Sequence, residues 1–188
     1  SMGVRSAVGS KTLSYKEVKE GSPVWKWLLD ERGLLPETVR KYRVGEQATK
    51  DGRSLVVFPY FDSSGNLVRM KFRDIEDKKK QFQLPKIADK GQYVYGAPKL
   101  LFGWQVIDED TSGIALTEGE LDAMSAYQNG IKALSVPEGA QRTTNDESSP
   151  HDAWIEHDFD AMEQFLDIVL AMDDDEPGNA ARDAIIPR

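Results

Sequence analysis

The sequence predicts an α+β amino-terminal half followed by an α/β half with a parallel sheet. Three observations lead there. Residues 54–73 spell a β-hairpin. From residue 113 onward, short apolar runs alternate with helical patterns. Two of those runs end in acidic clusters whose lead residues, Glu118 and Asp173, lie 55 positions apart. Strand–helix–strand alternation needs crossover connections and therefore a parallel sheet. Carboxylates at strand ends lie where an open α/β sheet places its ligand.

Composition bounds the possibilities. The chain has 188 residues, 39% hydrophobic and 30% charged, enough for a real core in one or two domains. It has no cysteine, which excludes disulfides, thiolate nucleophiles and any Cys-containing zinc site in these residues. Two histidines, His151 and His157, are too few for a His-rich metal site and are expected at the surface. No apolar run approaches the roughly 20 residues of a bilayer span. No signal-peptide pattern opens the chain, so a cytoplasmic protein is expected. The net charge of −8 argues against nucleic acid at first sight. Basic residues are frequent from Lys11 to Lys99, however, and the acidic excess lies between Glu109 and Asp175, where bound metal would offset part of it.

Along the chain, residues 1–14 are polar and small and are expected to be a disordered tail with a tag remnant, Ser1-Met2-Gly3. Ser14 with Glu17 has the form of a capping box. Ser22-Pro23 starts a helix, with Trp25, Leu28 and Leu29 at helical spacing and Gly33 as its stop. Pro36 opens a second short helix to Tyr42. Ser54–Phe61 and Leu67–Arg73 are the hairpin strands, joined by the turn residues Asp62-Ser63-Ser64-Gly65-Asn66. On the second strand Val68, Met70 and Phe72 face one side, and Arg69, Lys71 and Arg73 the other. Three cations on one face mark either an edge strand protected against aggregation or a phosphate-contacting surface. The run Lys78-Lys79-Lys80 precedes a short strand, Gln81–Leu84. Residues 85–103 are expected to be mostly irregular, with a short helix near Trp104–Ile107. Asp108–Ser112 is a polar linker that divides a subdomain at 15–110 from one at 111–188.

In the second subdomain the expected strands are Ile114–Thr117, Ala133–Val136 and Ile168–Met172. The expected helices are Leu121–Asn129, one within Trp154–Asp167 bearing Phe159, Met162, Phe165 and Leu166, and one from Asn179 to Ile185, with a polar loop at Asn145–Asp152. The four tryptophans, Trp25, Trp27, Trp104 and Trp154, are expected to pack rather than stack on bases.

The clusters have a chemistry. Glu118 falls at a strand end, and Asp122 four residues on shares its side if the helix starts there. Asp173 and Asp175 project together because strand side chains alternate with period two. Hard divalent cations prefer such oxygens, so Glu118, Asp122, Asp173 and Asp175 are candidate ligands of one or two Mg²⁺ or Mn²⁺ ions serving phosphate chemistry. Glu120 fits the ordinary acidic bias of a helix N-terminus, and Asp175, Glu176 and Pro177 also fit a plain first helical turn.

Thr117-Glu118-Gly119-Glu120-Leu121-Asp122-Ala123, Ser135-Val136-Pro137-Glu138-Gly139-Ala140 and Ala171-Met172-Asp173-Asp174-Asp175-Glu176-Pro177-Gly178 resemble the Toprim domain of the phage primase–helicase family, to which the Twinkle helicase is related. Leu28–Gly45, the hairpin with Lys71-Phe72-Arg73, and Lys99-Leu100-Leu101-Phe102-Gly103 are similar to that family's amino-terminal primase subdomain. The resemblance implies a DNA primase core, which joins ribonucleoside triphosphates into short RNA primers on single-stranded DNA. It implies Glu118, Asp173 and Asp175 as catalytic and metal residues, and Arg69, Lys71, Arg73, Lys80 and Lys99 as nucleic-acid or nucleotide contacts. It implies a helicase domain in a longer parent or in trans, and a phage or prophage origin in a bacterial host. The sequence departs from the family in having no zinc module and no Gly-Lys-Ser/Thr loop, and in ending before the strand and helix that usually complete the sheet, as a truncated primase core would. Two other readings use the same features: a non-catalytic module that binds single-stranded DNA for a helicase, and a Toprim nuclease.

Overall fold

A computed structural model describes residues 4–8, 11–84, 86–89, 92–95, 99–137 and 153–185. The expected loop at Asn145–Asp152, His151, Glu138–Ala140 and residues 186–188 lie outside the described residues. The chain divides into two compact units, Ser1–Ala97 and Pro98–Arg188.

The first unit is built on an antiparallel sheet. Its strands are β1 (Val4–Val8), β2 (Lys11–Glu17), β3 (Gly45–Ala48), β4 (Ser54–Phe61), β5 (Leu67–Asp74) and β6 (Gln81–Leu84), paired in sequence order. A separate hairpin, β7 (Lys86–Asp89) and β8 (Gln92–Tyr95), follows. β1 pairs with β2 in the segment expected to be a tail, and Ser14 lies within β2 rather than capping a helix. β2 continues the sheet: Lys16 and Glu17 pair with Glu46 and Gly45, and the Tyr15 hydroxyl donates to Arg43 O at 2.8 Å. That sheet partner, distant in sequence, outweighs the local capping pattern. β7 and β8 likewise replace the irregular stretch expected after Pro85.

The hairpin follows its turn chemistry. Asp62 Oδ1 accepts from Ser64 N–H at 3.0 Å and Asn66 N–H at 2.8 Å. Leu55, Val57, Phe61, Leu67, Met70 and Phe72 then form one core with Leu13 and Tyr15, and Phe82 stacks on Phe72 at 4.5 Å. Alternation puts Val56, Phe58 and Tyr60 on the opposite face, where they are also fully buried.

Helix α1 (Pro23–Lys26) packs on β4, and α2 (Pro36–Lys41) follows. Ser22 Oγ accepts from Trp25 N–H at 3.1 Å, a cap worth about 1 kcal/mol. A π-helical turn over Trp27–Glu31 then shifts the phase. The buried residues are therefore Val24, Trp27 and Leu28 rather than the expected Trp25, Leu28 and Leu29. A π turn carries an extra residue per turn and rotates everything after it.

Asp74 is buried and closes the far end of β5. It accepts from Glu76 N–H at 2.9 Å and from Arg53 Nη1 at 3.0 Å. The backbone donor of Glu76, then the Arg53 guanidinium, hold its carboxyl below the usual range. A depressed folded pKa gives stability that is present above the unfolded value and lost as pH falls through the folded one. Asp74→Asn is therefore expected to weaken the chain at neutral pH. Its unfolding curve should converge on the wild-type curve as pH falls below about 3.9, the unperturbed aspartate value. A constant difference across that range would exclude the ionic contribution.

The second unit carries three parallel strands in the order β10 (Ala133–Ser135), β9 (Gly113–Thr117), β11 (Asp167–Ala171). α3 (Glu120–Gln128) follows β9, α4 (Ala153–Met162) precedes β11, and α5 (Glu176–Ile185) follows it. Gly130, at φ 84°, closes the turn after α3. Leu101, Trp104, Ile114, Leu116, Leu134, Val136, Trp154 and Phe165 form the core, with Trp104 stacked on Phe165 at 6.1 Å. α4 ends at Met162, so Phe165 and Leu166 lie beyond it: Phe165 is buried, whereas Leu166 and Phe159 are exposed. The apolar spacing that suggests one longer helix spans a helix end and the start of a strand. α5 begins at Glu176, three residues earlier than expected. Asp108–Ser112 is a turn within this unit, with Thr111 Oγ1 donating to Asp108 Oδ1 at 2.6 Å and Lys132 Nζ pairing with Asp108 at 2.8 Å.

Candidate active site

Parallel pairing brings both acidic clusters to one edge of the second sheet. Thr117 is in register with Ser135 on one side and Ala171 on the other. Glu118 is the next residue after β9, and Asp173 lies two residues past β11, so both emerge at the carboxyl ends. They meet directly: Glu118 Oε1 accepts from Asp173 N–H at 2.9 Å. A side chain from one cluster thus fixes the backbone of the other.

Two glycines permit this closeness. A Cβ on Gly178 would overlap the Asp173 carbonyl oxygen and stand 2.5 Å from Glu118 Oε1. A Cβ on Gly119 would stand 2.7 Å from Asp122 Oδ2, so the Asp122 side chain folds back over the turn that carries Glu118. Asp175 has a structural task as well. Its Oδ1 accepts from Gly178 N–H at 2.8 Å and its carbonyl from Asn179 N–H at 2.9 Å, which makes it the N-cap of α5. The first-turn reading of Asp175–Pro177 therefore holds, and only one Asp175 oxygen is committed to it.

Burial, then the charges of Asp173 and Glu120, push the Asp122 carboxyl above the usual range. Glu120 is buried at 6% exposure, not the solvated residue that its place in the first turn suggests. Helix periodicity does not reveal this, because the strand edge covers that turn of α3.

Among the described residues, no three Asp, Glu, His or Cys side chains are gathered closely enough to hold an ion together. The donor set nevertheless fits a hard divalent cation. Mg²⁺ takes one or two carboxylates and completes its shell with water and substrate oxygens. Asp122 and Asp173 already sense each other's charge, the condition a bound cation relieves.

In the first unit, Arg69, Lys71 and Arg73 share a face of β5, in register with Tyr60, Phe58 and Val56. β5 lies between β4 and β6, so edge protection does not explain its cations. Arg69 is buried at 2% exposure with its guanidinium 5.2 Å from the Tyr60 ring. Lys71 and Arg73 are half-buried, and Arg73 lies 5.6 Å from the Trp27 ring. Lys80 is exposed in the turn before β6 and pairs with Asp77 at 3.5 Å. Lys99 opens the described part of the second unit. Trp27, Trp104 and Trp154 are buried, as packing residues should be, and Trp25 is half-buried.

The Toprim-domain model matches residues 112–188, the segment holding the three parallel strands and both acidic clusters. Residues 112–188 are a Toprim domain. The whole chain also superposes on solved primases. It is 26% identical to the primase fragment of the bacteriophage T7 primase–helicase, with a TM-score of 0.61 over 82% of this chain and 57% of that one. It is 23% identical, with a TM-score of 0.62 over 92% of this chain and 73% of that one, to a chain in a T7 assembly. There the lagging-strand polymerase interacts with primase domains of two gp4 subunits bound to an RNA/DNA hybrid and dTTP. It is 19% identical to a DnaG primase catalytic domain bound to single-stranded DNA, with a TM-score of 0.57 over 87% of this chain and 61% of that one. The last two likenesses are of fold. The chain spans less than two thirds of the T7 fragment and of the DnaG domain. No curated protein sequence matches it. The Toprim domain here therefore follows a sheet-based unit, as the α+β then α/β expectation has it. Among the described residues, no helix is long and apolar enough to cross a membrane.

Proposed function

We propose that this chain is the catalytic core of a DNA primase that makes short RNA primers on single-stranded DNA in phage-type replication. The observation that carries the reading is the Glu118–Asp173 contact at the carboxyl edge of the Toprim sheet, in a chain whose fold follows primase cores along most of its length. Asp173 and Asp122 would hold Mg²⁺ or Mn²⁺, with Asp175 and Glu118 beside them. A divalent cation supplies charge neutralisation to the phosphates and acidity to the attacking 3′-hydroxyl. Glu118 is the general-base candidate, and its hydrogen bond to Asp173 N–H fixes its rotamer. Asp175 fixes the start of α5 behind the site.

Lys71, Arg73, Lys80 and Lys99 are assigned to template and nucleotide phosphates. Arg69, deep against Tyr60, supports the same face from below. A helicase domain, in the parent chain or in trans, is the proposed partner, and the cytoplasm of a bacterial host the proposed setting.

The test is incubation with single-stranded DNA, ribonucleoside triphosphates and Mg²⁺ or Mn²⁺. Metal-dependent ribonucleotide oligomers are expected. Cleavage of the DNA without incorporation would establish the nuclease reading, and strand binding without either reaction the binding-module reading. Lys71→Ala with Arg73→Ala should lower the slope of log affinity against log salt by about 1.4, two phosphate contacts at about 0.7 each on a single strand. An unchanged slope would remove both residues from the strand contact.

A further inference from the structure

Asp158 is a buried carboxylate that no part of the proposed chemistry uses. It sits on α4 at 2% exposure. Its Oδ2 accepts from Leu101 N–H at 2.6 Å, across 57 residues of sequence, and its Oδ1 faces His157 Nδ1 at 2.8 Å. Burying an ionisable group is costly, and a single backbone N–H can be satisfied by a neutral acceptor. Burial raises this carboxyl above the usual range despite the Leu101 and His157 hydrogen bonds, so the group is retained against a cost.

What it holds is the segment Lys99–Gly103. Leu100, Leu101 and Phe102 are fully buried. Phe102 exchanges both backbone hydrogen bonds with Ser135, each 2.9 Å, in an antiparallel bridge. Ser135 is the last residue of β10 and is in register with Thr117, the residue before Glu118. Because the bridge is antiparallel, the chain preceding Phe102 runs outward past the carboxyl end of β10. Lys99 is thereby carried to the edge where Glu118 and Asp173 emerge.

We propose that Asp158 is a positioning residue: through the Leu101 amide it pins the Lys99–Gly103 segment against α4, so that Lys99 presents its ammonium to substrate phosphate at the carboxylate edge. The strand rests on this at one end through Asp158 and at the other through Ser135. This inference depends on the primase-type reading, in which single-stranded nucleic acid meets that edge.

The experiment measures the salt dependence of oligothymidylate binding by the full chain. Lys99→Ala should reduce the slope of log affinity against log salt by about 0.7 for the one lost contact. Asp158→Ala should reduce it equally, and the double variant should add nothing further. Asp158→Asn keeps an oxygen for the Leu101 amide and should restore the wild-type slope, a rescue that loss of charge alone would not give. If Asp158→Ala does not fold, Asp158→Ser is read in its place with the same expectation. A wild-type slope in the folded Ala or Ser variant, or additive losses with Lys99→Ala, overturns the positioning role. Absence of any binding by the wild-type chain overturns the primase-type reading itself, and the two failures are distinct.

Discussion

Gly178→Ala is expected to lower both stability and metal response, although alanine is the better helix former. In the first turn of α5 the exchange should gain about 0.5–1 kcal/mol from backbone entropy. The new Cβ would overlap the Asp173 carbonyl and crowd Glu118 Oε1 at 2.5 Å. Overpacking of this kind costs about 1–3 kcal/mol, so the clash wins. Backbone on one side and a hydrogen-bonded carboxylate on the other have little room to give. Relief comes by pushing Glu118 off Asp173 N–H, which undoes the link between the two clusters. Gly178→Val should be worse. Denaturant unfolding checks the first part, and the rise in melting temperature on adding Mn²⁺ checks the second. A Gly178→Ala chain that is more stable and responds fully to the ion would show that α5 does not press on the site.

The second large effect is expected from the aspartates. A ligand at 100 times its dissociation constant stabilises by about 2.7 kcal/mol. For a chain of this size that is roughly 5–11 °C, at about 2–4 °C per kcal/mol. Asp173→Ala with Asp175→Ala should abolish the whole shift. Asp175 also caps α5, however, and losing a cap costs about 0.5–2 kcal/mol by itself. Asp175→Ser separates the two tasks, since serine can accept the Gly178 amide but offers no carboxylate. The Asp173→Ala/Asp175→Ser variant is therefore expected to melt close to the metal-free wild type and to ignore the ion. A full ion-induced shift in that variant would move the metal away from this edge.

Much of this arrangement is legible in the sequence because it is local. Ser22-Pro23, Asp62–Asn66 and Gly130 each specify a cap or turn by their own side-chain or backbone chemistry, and the structure uses all of them. The two acidic clusters are legible because each follows an apolar run, and parallel pairing then has to bring strand ends together. What escapes is set by partners far along the chain. Ser14 has the pattern of a cap, but β2 finds β3. The π turn at Trp27–Glu31 shifts the buried face by a residue that periodicity cannot register. Asp158 resembles any other polar residue of α4 until Leu101, 57 positions earlier, places an amide beside it. The cations of β5 are visible in sequence, but their interior position depends on β6 closing the other side. Gly178 is similar: the motif shows a glycine, and only the contact with Glu118 shows why a side chain fails there.

The most direct test of the central claim compares ribonucleotide incorporation on single-stranded DNA by the wild-type chain and by Asp173→Ala/Asp175→Ser, in Mg²⁺ and in Mn²⁺. The account predicts short ribonucleotide oligomers from the wild type and none from the variant, with both chains folded to the same extent. Equal product from the two chains would contradict it, because the chemistry would then not run at the carboxyl edge of the Toprim sheet.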